Sequence, residues 1–356
     1  MIKFPNYNKN ICRILIVFVL ILALLTTTSF FLFNTSDRSI SVSAEPSGSS
    51  DKKYIKWVEF KAPYSAMERA LTYDVKSHTK PVQLHWVDIL AYLSAKYGGN
   101  FNKYKAKDMD ELVNKLNSGE TIENLTAKLK YYPYYHEAYD AILGNFAGEY
   151  DIEVKDPANS ENKIWEKKYG LKVFSPIAKG YSFSHYDDFG TGRTFGYSRK
   201  HLGNDLMGSI GTPIIAVESG IVEVMGWNMY GGWRIGIRSF DQKRYYYYAH
   251  LRKDRPFHAD LYEGKVVKAG DVIGYLGMTG YSTRENVNNI TTPHLHFGMQ
   301  IIFDESQKEG INELWIDVYD IVNLLQKNRS SVIKDDETRD YYRAYDIMEA
   351  TSGYDF

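Results

Sequence analysis

The texture of this chain changes near Gly170, and that change bounds what it can fold into. C-terminal to it, short β-branched and aromatic runs alternate with glycines: Ile214 to Val217, Gly220 to Val224, Trp233 to Ile237, Tyr245 to His250, Val272-Ile273 and Leu295 to Ile302. Short strands with turn residues at regular intervals predict an antiparallel sandwich or barrel. N-terminal to it, from about Lys56 to Tyr150, the period is helical. Trp86, Ile89, Leu90 and Leu93 fall on one helix face, closed by Gly98-Gly99. A second helix opens at Asp108 with Met109, Leu112 and Leu116 along one side, and ends at Gly119. A third begins at Thr121 with Ile122, Leu125 and Leu129, and a fourth spans about Tyr135 to Phe146. The predicted class is therefore multidomain α and β: a small all-α unit at 56–150, then a mainly antiparallel β domain at 170–325. Val318 to Leu325 reads as a short closing helix with Asp317 as a candidate N-cap. The polar stretch 326–356 reads as a loosely ordered tail. A length of 356 residues is long for one core and suits two folded units plus extensions.

The N-terminus carries a separate signal. Lys3, Lys9 and Arg13 precede an apolar run from Ile14 to Phe33. About 20 residues of helix cross a bilayer's hydrocarbon core, so residues 14–33 predict a transmembrane helix. Basic residues ahead of it place residues 1–13 in the cytoplasm and the body of the chain outside, as a single-pass protein of the cell membrane. The alternative is secretion after cleavage near Ala44, because Val42-Ser43-Ala44 has the small-residue pattern of a cleavage site. Residues 34–55 are rich in serine and too polar to pack, which predicts a flexible tether.

The net charge of −1 gives no reason to invoke nucleic acid as a partner. Cys12 is the single cysteine, so no intrachain disulfide and no cysteine metal site can form, and any metal must be held by His, Asp or Glu. In the β region five such residues stand out: His201, Asp205, His250, His294 and His296. In His294-Leu295-His296, strand alternation sends both imidazoles to one face and Leu295 to the other. They can share one metal or divide into a ligand and a base; a purely structural pair is the plainer reading. His201 and Asp205, four apart, sit among Gly203, Gly208 and Gly211, which predicts an irregular loop entering a strand rather than a helix. His and Asp together suit a borderline cation such as zinc, although an isolated pair is equally a surface ion pair. By alternation His250 shares a face with Tyr246 and Tyr248. His185 and His258 lack supporting neighbours, and His78, His85 and His136 fall in the helical unit. Glu149, Asp151 and Glu153 cluster as paired carboxylates do in glycan hydrolysis, but their alternation fits a solvated edge.

Several stretches occur in order: His201-Leu-Gly-Asn-Asp205, Gly211-Thr-Pro-Ile-Ile-Ala-Val-Glu-Ser-Gly220, Tyr248-Ala-His-Leu251, Lys268-Ala-Gly-Asp-Val-Ile-Gly274, Gly277-Met-Thr-Gly-Tyr-Ser282 and His294-Leu-His-Phe297. Together they resemble the lysostaphin and LytM-type zinc metalloendopeptidases, over roughly 201–300. The resemblance implies a zinc peptidase domain with its core at 199–303. It implies one Zn2+ per chain held by His201, Asp205 and His296, with His294 and His250 as catalytic, non-ligand histidines. It also implies peptide hydrolysis by metal-activated water, with stem or bridge peptides of bacterial peptidoglycan as substrate. The alternative is a catalytically silent wall-binding or scaffold module of the same fold. Two departures stand out: Gly298 lies where the family often has an acidic residue, and Tyr230-Gly-Gly-Trp-Arg234 is bulkier than the usual turn. Trp227, Tyr230, Trp233 and Tyr281 are candidates to line the groove, and the polar stretch Asn286 to Thr292 lengthens a loop beside it.

Overall fold

A computed structural model describes residues 54–308 and 312–349 of the chain. The apolar run at 14–33, the tether and the cleavage pattern near Ala44 lie outside the described residues. Among those described, no helix is long and apolar enough to cross a membrane.

A small α-helical unit comes first, built from α1 (Tyr64–Ser77), α2 (Trp86–Tyr97), α3 (Ala106–Asn117), α4 (Ile122–Thr126) and α5 (Tyr132–Leu143). Helix α1 was not among the expected four. It packs through Ala66, Met67, Ala70 and Leu71, at the i, i+3, i+4 spacing of a buried stripe. Its buried Asp74 accepts the Trp86 backbone N–H at 2.9 Å and the Tyr169 hydroxyl at 2.7 Å, tying α1 to the start of α2. Gly98 ends α2 with φ of 63°, a left-handed conformation that costs glycine little. Thr121 accepts the Asn124 N–H and caps α4.

Extended structure begins at Ala147, earlier than the change at Gly170. Strands β1 (Ala147–Lys155) and β2 (Lys163–Leu171) form a hairpin with β17 (Ile347–Glu349) on its other edge. Here Glu149 meets Lys167 at 3.2 Å and Glu153 meets Lys163 at 3.0 Å, so these carboxylates form ion pairs across the hairpin.

The main antiparallel sheet has eight strands: β3 (Ser184–His185), β6 (Asn204–Met207), β8 (Gly220–Asn228), β9 (Gly232–Ser239), β10 (Arg244–Ala249), β11 (Val266–Val267), β13 (His294–Ile301) and β14 (Leu314–Ile316). Their order is β11-β8-β9-β10-β13-β6-β3, with β14 also paired to β13. Two-stranded ladders join β7 (Pro213–Ile215) to β12 (Val272–Tyr275), β4 (Gly192–Arg193) to β5 (Arg199–Lys200), and β15 (Val332–Lys334) to β16 (Tyr341–Arg343). Helix α6 (Tyr319–Leu325) follows β14, and Asp317 accepts its first N–H, from Tyr319, at 2.9 Å. One apolar core runs from the helices into the sheet, through Ile142 and Phe146 to Ile237, Tyr248 and Phe297.

Residues 326–349 do not form the loose tail that their composition predicts. Ile347 joins a second buried cluster with Phe174, Ile215 and Tyr275. Buried Asp340 accepts the Tyr275 hydroxyl at 2.6 Å, and Glu349 accepts Lys172 at 2.7 Å. A few anchors hold an otherwise polar segment, which is why average polarity misreads it.

Candidate metal centre and active site

Strand β13 sets the geometry. Leu295 is fully buried in the core, while His294 and His296 point to the opposite face, as period-two alternation requires. Antiparallel β6 places Asp205 directly opposite His296. Facing residues on such a pair bring their Cβ atoms within about 5 Å, so the carboxylate lies beside the imidazole. His201 arrives on the irregular segment between β5 and β6. That segment crosses β13 at Gly203, where a Cβ would lie 2.6 Å from the Phe297 carbonyl and 2.8 Å from the His296 ring. Only glycine allows the loop close enough to deliver His201.

The three groups converge. His201 Nε2 is 2.7 Å from His296 Nδ1 and 3.0 Å from Asp205 Oδ1, and His296 Nδ1 is 3.3 Å from the same oxygen. Two imidazoles and one carboxylate, all largely buried, are suited to hold one metal ion. This is the only grouping of its kind among the described residues. Burial opposes charge on Asp205, yet hydrogen bonds to His201 and His296 drive its carboxyl far below the usual range. Burial likewise opposes a charged His201, but Asp188 and Asp205 raise it to about 9. Burial lowers His296, partly offset by Asp205. The cluster is thus one coupled set of donors around a fixed negative charge.

The other two histidines stand beside it. His294 Nε2 is 3.7 Å from Asp205 Oδ1, and the His250 and His294 rings are 4.8 Å apart. His294 Nδ1 meets the Thr292 carbonyl and His250 Nδ1 meets the Thr279 carbonyl, each at 2.8 Å. A carbonyl can only accept, so both Nδ1 atoms carry hydrogen, which makes Nε2 the acceptor of each ring in its neutral form. Burial, and then the charges of His294 and His296, hold His250 well below the ordinary imidazole value. Its orientation corrects the alternation argument. Tyr246 and Tyr248 face the core, whereas His250 adopts φ of 62° at the end of β10 and turns toward His294 and His296. Alternation holds only while the backbone stays extended.

Sequence reasoning missed Asp188 and Arg193. Arg193 Nη2 donates to Asp188 Oδ2 at 2.8 Å and to Asp205 Oδ2 at 3.1 Å, and Asp188 Oδ2 lies 3.2 Å from His201 Nδ1. Asp188 lies on an irregular stretch ahead of His201 and Arg193 on the two-residue strand β4, too short to carry a periodic signal. The other histidines stay apart from the centre. His185 meets the Tyr319 carbonyl, His258 accepts the Asp260 N–H, His78 stacks on Tyr169, His136 pairs with Asp88, and His85 is exposed at the start of α2.

A cavity of about 320 Å³ opens beside the cluster, with Tyr230 and Tyr281 in its lining. Trp227 and Trp233 instead pack edge to face at 5.6 Å, and the Trp233 indole donates to Asn286, so they brace the loop beside the groove.

The sequence model of peptidase family M23 matches residues 199–311. The "L-Ala--D-Glu endopeptidase" of Bacillus subtilis (strain 168) is 40% identical over 124 residues, 35% of this chain and 36% of the relative. Lysostaphin of Staphylococcus simulans is 41% identical over 98 residues, 27% of this chain and 17% of lysostaphin. The solved catalytic domain of S. simulans lysostaphin is 31% identical, with 40% of this chain and 92% of that domain covered, at a TM-score of 0.30. The chain thus spans about a third of the first relative's length and under a fifth of lysostaphin's. Residues 199–311 are thus an M23 peptidase domain, related to the lysostaphin-type endopeptidases.

Proposed function

We propose that the chain is a zinc-dependent metalloendopeptidase that hydrolyses peptide cross-links of bacterial peptidoglycan. The observation that carries this reading is the convergence of His201 Nε2, Asp205 Oδ1 and His296 Nδ1, with two further imidazole lone pairs alongside. The donor set fits one Zn2+ per chain, since three protein ligands are the number that leaves a catalytic zinc one open position. When bound, zinc supplies Lewis acidity, polarising a peptide carbonyl and bringing the pKa of water to about 7.

The chain's own residues supply the rest. His294 Nε2 and His250 Nε2 are the bases placed to take a proton from attacking water and return it to the departing amine. Their carbonyl partners, Thr292 and Thr279, fix both rings in the tautomer this needs. Asp188 holds the outer nitrogen of His201, and Arg193 holds the outer oxygen of Asp205, the kind of support that orients ligands. Peptide substrates are favoured because a relative, the L-Ala--D-Glu endopeptidase of Bacillus subtilis, is named for a peptide cleavage.

The body acts outside the membrane, held by the helix at 14–33 through a tether at 34–55, or released after cleavage near Ala44. The helical domain then serves as a spacer or docking unit for the wall. The test is to incubate the full-length protein with purified wall sacculi, with and without a chelator. New free amino groups that need zinc support the proposal. Release of reducing sugars, or no cleavage with zinc present, rejects it.

A further inference from the structure

The cavity beside the metal cluster carries more cationic than anionic side chains in its lining. Arg193, Arg199, Lys200, Arg234 and Lys308 all contribute, against the single carboxylate of Asp205, which is already engaged by His201, His296 and Arg193. Arg193 is paired with Asp188, and Lys308 with Glu223 at 2.6 Å. Arg199 and Arg234 meet no carboxylate among the described residues. Arg199 donates to the Phe195 carbonyl at 2.7 Å, and its guanidinium lies 4.7 Å from the Tyr230 ring and 5.4 Å from that of Tyr281. It is held by aromatic faces, with donors to spare. The Nε–H of Arg234 is buried and has no acceptor among the described residues. A buried donor without an acceptor is costly, and a charged one more so, unless something else completes it.

The sheet register says where that something sits. Ala249 on β10 faces His296, and Tyr248 faces Ile235 on β9. Continuing the ladder by one residue puts Arg234 on the row of His296, two strands away, or about 10 Å. An extended peptide advances about 3.3 Å per residue, so Arg234 reaches a group within two or three residues of a bond held at the metal cluster.

We infer that this cavity reads a free carboxylate on the substrate peptide, gripped by Arg234 and covered by Arg199, so that acidic stem peptides are cut in preference to neutral ones. The inference rests on the endopeptidase reading above and names the substrate class of that same site. A stem-peptide glutamate offers such a carboxylate, its amide does not, and a glycine bridge has none.

The test uses the zinc-loaded full-length protein and three synthetic peptides: one with glutamate next to the cleaved bond, the same peptide with that carboxylate amidated, and pentaglycine. A charge-assisted pair is expected to favour the carboxylate peptide at least about tenfold in kcat/KM, mostly through KM. The preference should shrink as salt rises. Arg234→Gln should bring the ratio of the two stem peptides close to one, with Arg234→Lys falling between. Bound zinc, measured on each variant, reports whether the site has kept its shape. Equal cleavage of the acidic and amidated peptides by the unaltered protein overturns the carboxylate inference and leaves the endopeptidase reading standing. Cleavage of pentaglycine alone also overturns it. Cleavage of none of the three overturns both.

Discussion

Arg244 offers a sharp test of how the helical unit and the β domain are joined. It is fully buried. Its Nε and Nη2 donate to Glu218 at 2.8 and 3.1 Å, Nη2 also reaches Asp241 at 2.6 Å, and Nη1 donates to the Ala141 carbonyl of α5 at 2.6 Å. Tyr246 donates to the same Glu218 carboxylate at 2.6 Å, and Asn145, just past α5, donates to it as well. In Arg244→Met the packing volume is largely kept, but Glu218 is left as a buried charge without its cation, a change that typically costs 3–5 kcal/mol. The orphaned Ala141 carbonyl adds about 1 kcal/mol, and the half-exposed Asp241 pair adds little. The expected loss is about 4–6 kcal/mol, a large part of the ~5–15 kcal/mol that a domain has. Removing both charges in Arg244→Met/Glu218→Leu should be milder than the sum of the single changes by at least about 2 kcal/mol. Urea unfolding followed by circular dichroism and tryptophan fluorescence reads both quantities. The network also predicts one cooperative transition in the parent and separate transitions for the helical and β parts in Arg244→Met. A single-variant loss under about 1 kcal/mol, or strict additivity in the double variant, refutes the reasoning.

Three further groups of outcomes are expected. His294→Ala and His250→Ala should each lower turnover by about 10²–10⁴ while zinc content stays near one per chain, whereas Asp205→Ala should lose the metal; elemental analysis beside a peptide-cleavage assay separates the cases. Ile347→Ala should cost about 2–5 kcal/mol of stability in chemical denaturation, because Ile347 is buried in the second core cluster; a loose tail would show no change. Burial would raise the Asp340 carboxyl, but the Tyr275 hydrogen bond and the charges of His258 and Arg255 hold it below the ordinary value. A carboxyl depressed on folding stabilises above the unfolded pKa of about 3.9 and loses that contribution as pH falls through the folded value, so hydrogen exchange at 341–349 should accelerate below about pH 4, and Asp340→Asn should abolish that step.

The parts of the site that were legible in the sequence are those governed by local rules. The pair His294 and His296 follows from strand period alone, and the glycines around His201 ruled out a helix. The pairing of Asp205 with His296 is a matter of register between strands some 90 residues apart in sequence, so only the resemblance to a family supplied it. His250 went to the wrong face because a single left-handed residue ends the alternation. Asp188 and Arg193 were invisible because their contacts arise in an irregular segment and a two-residue strand, with no period to read. The β1–β2 hairpin did leave a trace in the alternating charges of Glu149, Asp151 and Glu153; the partners of Glu149 and Glu153, Lys167 and Lys163, lie on the returning strand. The ordering of residues 332–349 left none, since anchors such as Ile347 and Glu349 find their partners more than 70 residues away.

Gly298 shows why departures from a family pattern can carry more information than matches. An acidic side chain is common there in the family, and this chain has none. A Cβ at Gly298 would lie 2.8 Å from the Leu202 carbonyl and 2.9 Å from the Trp315 ring, so the missing side chain makes room for that indole. Trp315 comes from β14, which pairs with β13 opposite Gln300 and lies beyond the segment that carries the family motifs. The indole stands edge to face with Tyr245 at 6.5 Å and with Tyr247 at 6.1 Å, and all three rings line the cavity beside the metal cluster. That cavity is therefore walled partly by a residue that the family match does not cover, admitted by a glycine that breaks the family pattern. On the proposed endopeptidase reading, Trp315 gives an aromatic wall to the same cavity whose charge Arg199 and Arg234 set, so both bear on which peptides fit.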